Sequence, residues 1–138
     1  MQFTTAIFTT LALALSARAD SRFCYPIPGQ PETIPQNILD LDVSIKLNWA
    51  ANLCSQLVFP SPTDQGNGIQ IATTALTDGI LGDDGKLYGL EVGLHAIRTE
   101  DLCNVNANAL LGDGACPEGG LLTLSTPFEQ WSYITALN

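Results

Sequence analysis

The sequence predicts an all-β antiparallel domain, a sandwich or a barrel, and three observations predict it. Apolar and polar residues alternate with a period of two in several separate segments, the mark of strands with one buried face. Clusters of Gly, Pro, Asn and Asp punctuate those segments, which is turn chemistry. After the N-terminal apolar run no segment sustains a long helical period, so strands joined by turns are the economical architecture.

Met1 to Ala19 reads as a secretory signal peptide, because the apolar run Ala6 to Ala17 ends in Ala17-Arg18-Ala19, with small residues where a signal peptidase inspects the chain. It lacks a basic n-region. No later run reaches the roughly 18 apolar residues that a membrane span needs. Residues 20–138 are therefore expected to form one secreted domain. Arg18 is one of five basic residues against 14 acidic ones, so the chain beyond Ala19 carries a net charge of −10. That balance argues against nucleic acid and against anionic membrane surfaces, and it reads first as solubility. In an oxidising compartment Cys24, Cys54, Cys103 and Cys116 are expected to form two disulfides, with three pairings open. Pairing each with its nearer neighbour gives Cys24–Cys54 and Cys103–Cys116. Zinc fits poorly, since no CxxC occurs and the single histidine, His95, lies eight residues before Cys103.

Along the chain, Pro26, Pro28, Pro31 and Pro35 make residues 20–36 an extended lead-in held by Cys24. Leu39, Leu41, Val43, Ile45, Leu47 and Trp49 then alternate with Asp40, Asp42, Ser44, Lys46 and Asn48, which predicts a long strand. Asp40 and Asp42 are the polar half of that alternation, not a metal pair. Ala50 to Leu57 fits either a helical turn or a continuing strand. Pro60, Pro62, Gly66 and Gly68 mark a turn, and Ile69, Ile71 and Thr73 a second strand running to Leu76. Thr77 to Lys86 reads as a hairpin connection. Setting Gly85 at the sixth position of an EF-hand loop puts Ile80 and Gly82 where oxygen ligands belong, so calcium is not expected. Tyr88, Leu90, Val92, Leu94 and Ala96 oppose Gly89, Glu91, Gly93 and His95 in a half-buried strand. The following stretch to Cys116 has the composition of a loop closed by a disulfide. Leu121 to Ser125 is a short strand, and Trp131, Tyr133, Thr135 and Leu137 share one side of the last.

No catalytic constellation emerges. A Ser-His-Asp or Cys-His mechanism would have to use His95, yet no GxSxG occurs and disulfides would consume the thiols. Carboxylate pairs such as Glu91 with Glu100 or Glu129 carry no weight in a chain with 14 acids. The expectation is a non-enzymatic protein with no cofactor.

The order of features in residues 24–126 resembles the ML (MD-2-related lipid-recognition) domain, and within it the secreted fungal phosphatidylglycerol/phosphatidylinositol transfer proteins. The resemblance is carried by Asn37 to Val43, Phe59 to Pro62, the Ile69 to Ile71 strand, Leu90 to Ile97, Asp101-Leu102-Cys103, and Cys116-Pro117 with Gly119 or Gly120. It departs in the stretch Trp49 to Val58, which looks inserted. It departs again in stopping at Asn138, without the late cysteine that pairs with the first in that family. The resemblance implies an immunoglobulin-like sandwich whose two sheets hold a lipid, a phospholipid or sterol, without catalytic residues. By the alternation, Leu41, Val43, Ile45, Ile69, Ile71, Leu90, Val92, Leu94, Leu122 and Leu124 would wall that space. Burying about 15 methylenes at about 0.8 kcal/mol each yields roughly 12 kcal/mol, enough for useful affinity. A second expectation, of a different class, is a small disulfide-stabilised secreted interaction protein, effector- or elicitor-like, with a filled core and a protein partner.

Overall fold

The computed structural model describes residues 21–26, 33–61, 69–75, 79–125 and 128–137. Residues 1–19, expected to be a signal peptide, and most of the Pro60 to Gly68 turn lie outside them. The alternating segments build one antiparallel sheet of β1 (Ser21–Cys24), β2 (Ile69–Thr73), β3 (Ile80–Leu81), β4 (Leu87–His95), β5 (Gly119–Ser125) and β6 (Phe128–Ala136). Five strands pair in the order β1-β5-β6-β4-β2, and β3 pairs with the start of β4. The expected hairpin connection is present: Ile80 faces Tyr88 across a turn in which Gly85 N–H donates to Gly82 O.

Three helices interrupt the strands: α1 (Gln36–Leu39), α2 (Val43–Gln56) and α3 (Glu100–Leu111). The strand expected over Leu39 to Trp49 is therefore corrected to helix. Asp42 caps α2 by accepting from Ser44 N–H at 2.8 Å. The buried stripe is Lys46, Trp49, Ala50, Leu53 and Cys54, a spacing of 3, 4, 7 and 8 that only a helix brings to one side. The loop expected between Cys103 and Cys116 is corrected as well, since most of it lies in α3. Thr99 Oγ1 accepts from Leu102 N–H at 3.1 Å, Glu100 and Asp101 sit in the positive first turn, and Cys103, Asn106, Ala107, Leu110 and Leu111 are buried.

Both long helices pack on the same face of the sheet, α2 over β4 and β2, α3 over β5 and β6, and against each other. Leu90, Val92, Leu94, Leu122 and Ile134 meet Ile38, Trp49, Leu53, Leu110 and Leu111 there in one apolar core. The antiparallel, disulfide-stabilised part of the expected fold is observed; among the described residues the layer facing the sheet is helical where a second sheet was expected.

The disulfides are Cys24–Cys116 and Cys54–Cys103, so the nearer-neighbour pairing is corrected. The reason is the helix pair: Cys54 and Cys103 sit on the facing buried stripes of α2 and α3, with Cα atoms 5.9 Å apart. That leaves Cys24, at the end of β1, for Cys116, which precedes β5; the two strands pair with Cys24 opposite Gly120.

Candidate functional site

Among the described residues one face of the sheet is covered by helices and the other is not, and alternation decides what the second face carries. Because Leu90, Val92 and Leu94 point to the helices, Glu91, Gly93 and His95 point away. Register then extends this face across the sheet. Phe23 lies opposite Leu121, Leu121 opposite Trp131, Trp131 opposite Gly93, and Gly93 opposite Ile71. One row of side chains thus crosses all five paired strands. The row on one side runs Ser21, Thr123, Glu129, His95, Ile69. The row on the other runs Gly119, Tyr133, Glu91, Thr73.

Trp131 is the centre of this face. A Cβ on Gly93 would lie 2.2 Å from Trp131 Cε2 and Nε1, so the indole lies against the backbone of β4 and the glycine makes room for it. Tyr133 is fixed from two sides: its ring is 4.9 Å from that of Tyr25, and its Oη donates to Glu91 Oε1 at 2.6 Å. Tyr25 is anchored by its own N–H to Gly119 O at 2.8 Å. Burial, and then the negative charge of Glu91, raise the Tyr25 phenol above its ordinary pKa. Apolar surface remains open around the rings. Phe23 is 57 % exposed, Ile71 58 % and Ile69 45 %, three large hydrophobic side chains on one side of one sheet.

Of the residues expected to wall a lipid space, Leu90, Val92, Leu94 and Leu122 are buried and Leu41, Ile45 and Leu124 are packed against them. The structure brings these seven together, in the layer between the sheet and its helices. Val43 begins α2 and is half-buried. Ile69 and Ile71 are corrected: they belong to the helix-free face, and Gln70, Ala72 and Thr74 take the inner side of β2. Polar bonding explains the inversion. The Gln70 side-chain amide pairs with both backbone groups of Val58, and Thr74 Oγ1 both donates to Leu90 O and accepts from Leu90 N–H, each at 3.2 Å.

Sequence reasoning missed Phe23, Tyr25, Leu121, Trp131 and Tyr133 as a surface. The alternation did place Trp131 and Tyr133 on one side of their strand, but aromatic residues read as core until the register shows which side the helices occupy. Chemistry is sparse elsewhere. Opposite His95 stand Glu129 and Ile69, and the nearest hydroxyl in that row, Thr123, is two strands away, roughly 10 Å. All four cysteines are in disulfides. Among the described residues no three His, Cys, Asp or Glu side chains cluster so as to hold a metal, and no helix is long and apolar enough to cross a membrane. No protein-family model matches the chain, and neither a curated protein nor a solved structure is significantly similar to it.

Proposed function

We propose that this is a secreted, non-enzymatic interaction protein that presents the helix-free face of its sheet to a partner. The observation that carries the reading is the row Phe23, Leu121, Trp131, Gly93 and Ile71, an aromatic and aliphatic band spanning the sheet on the side its own helices leave bare. Tryptophan and tyrosine on rigid backbone contribute large contact area at low entropic cost and recur as the energetic centres of interfaces. Central strands held in register on both sides and two disulfides keep such a surface preorganised, which lowers the cost of binding. The core favours this reading over lipid carriage, since Leu90, Val92, Leu94 and Leu122, expected to wall a lipid space, are buried in one cluster with residues of α2 and α3.

The test uses the intact, disulfide-bonded chain as an immobilised ligand for extracellular and cell-surface proteins, beside native mass spectrometry of the freshly purified protein. Expected is saturable protein binding, lost in Trp131→Ala and Ile71→Ser and retained in Val105→Ser, whose side chain is exposed on α3, with no bound lipid. Stoichiometric lipid, or binding indifferent to Trp131 and Ile71 but lost on changing Val105, overturns the reading.

A further inference from the structure

The charges around the bare face select its occupant. Glu91 and Glu129 rise from the two central strands, β4 and β6, on either side of the Trp131 row. Of the four described lysines and arginines, Arg22 and Lys46 are held on the helix side, and Lys86 and Arg98 lie beyond the paired rows of β4. Arg22 Nη1 donates to Ala109 O of α3, on the helix side; Lys46 is buried, with Nζ on Leu39 O and Pro117 O; Lys86 closes the β3–β4 turn; and Arg98 follows β4, its guanidinium 6.0 Å from the Phe128 ring centroid. The face is thus aromatic and anionic, on a chain of net charge −9.

Its size is also limiting. Five strands at about 4.8 Å spacing and three rows two residues apart span about 19 Å by 13 Å, roughly 250 Å² in projection, and the further pair Gly89 and Thr135 widens this only on β4 and β6. A stable protein–protein interface takes about 800 Å² from each partner. A second copy of this chain would bring the same carboxylates and the same net charge against an area too small to offset the repulsion. A short segment fits both constraints.

We propose that the bare face binds a lysine- or arginine-bearing segment of a partner protein, its cations lying over Trp131 and Tyr133 and pairing with Glu91 and Glu129. Flat rings attract ammonium and guanidinium groups through their negative faces, and a carboxylate on each side completes the pairing at the rim, where charge governs encounter and selectivity. The Tyr133 hydroxyl, bonded to Glu91 Oε1, fixes one carboxylate beside one ring. This inference rests on the reading of the face as the interaction surface.

The experiment titrates the intact protein with an end-blocked octapeptide alternating arginine and threonine, with its glutamate-for-arginine counterpart, and with a neutral β-linked glucose oligosaccharide. Expected is saturable binding of the arginine peptide alone, weakened about tenfold by Glu91→Gln/Glu129→Gln, by Trp131→Ala, and by raising salt from about 0.05 to 0.5 M. Val105→Ser should leave it unchanged. Because the two glutamates are only half-buried and glutamine keeps their size and an acceptor for Tyr133, their double variant keeps the test alive if Trp131→Ala fails to fold. Binding that survives Glu91→Gln/Glu129→Gln is attraction to the overall charge and overturns the proposal. Oligosaccharide binding lost in Trp131→Ala, or self-association of the protein at the face, also overturns the cationic occupant while leaving the face as the interaction surface. If none of the three probes binds, the cationic occupant falls; if partner capture is also indifferent to Trp131 and Ile71, both readings fall.

Discussion

Gln130 is fully buried between sheet and helix, and its amide is bonded on both ends. Nε2 donates to Cys103 O at 2.8 Å, and Oε1 accepts from Asn106 Nδ2 at 3.2 Å. A buried polar group left without its partner costs about 1–3 kcal/mol, and Gln130→Leu, which keeps the volume, orphans the Asn106 amide, while Cys103 O keeps its bond in the α3 ladder. Urea unfolding is expected to show a loss of about 1–3 kcal/mol, part of it recovered in Asn106→Leu/Gln130→Leu, which removes that orphan. A loss under about 0.5 kcal/mol, the scale of an ordinary surface substitution, would mean the network is idle. Glu118 carries the opposite lesson. It is half-buried in the turn before β5, and burial raises its carboxyl above the ordinary value. A raised carboxyl gives stability that is present below the unfolded-state pKa and lost as pH rises through the folded-state one. Glu118→Gln, neutral throughout, should match the parent near pH 3 and unfold at a higher temperature near pH 7. Equal melting temperatures at both values would contradict this. Asp42 and Asp84 run the other way: bonds from Ser44 and Tyr88 hold their carboxyls low, so what they contribute is present at neutral pH and lost in acid.

At the scale of the element, β2, β4, β5 and β6 were legible, β1 was expected only as an extended lead-in, and of the long helices only a turn over Ala50 to Leu57 was left open. The difference has a physical cause. In β4 the buried positions are Leu90, Val92 and Leu94, all strongly apolar, so period two stands out. In α2 the inward stripe includes a lysine and an alanine, because Lys46 is buried by stem and satisfied at its tip by two carbonyls. Meanwhile Leu39, Leu41, Val43, Ile45 and Leu47 imitate an alternating strand across the start of the helix. In α3 an asparagine and a cysteine hold two of five inward positions. The legible trace there was the terminus: Thr99 followed by Glu100 and Asp101 is a helix start. The cysteine pairing followed from those two misread elements, since proximity in sequence is irrelevant once two helices face each other. Cys54–Cys103 closes a separation of 49 residues, which in the chain-entropy model is worth about 4 kcal/mol. Cys54→Ala/Cys103→Ala is expected to lower unfolding free energy by about that amount. No change would mean that packing alone holds α2 to α3.

For the whole molecule, the asymmetry of the sheet is what connects sequence to function. Two helices and two disulfides cover one face, and of the residues expected to enclose a ligand Leu41, Ile45, Leu90, Val92, Leu94, Leu122 and Leu124 went into that layer. The other face keeps its aromatic row, its two carboxylates and its open isoleucines. That this face exists was written in the alternation of Trp131 and Tyr133 with Ser132 and Ile134. Which side met solvent was not, because it depends on where α2 and α3 lie, and their periods were masked. The most direct measurement is a backbone and indole amide NMR map of the intact protein, titrated with the arginine–threonine peptide. Shifts gathered at Ile71, Glu91, Gly93, Glu129, the Trp131 indole and Tyr133, with α2 and α3 unmoved, are the predicted result. Shifts centred on the outer surfaces of those helices would contradict it.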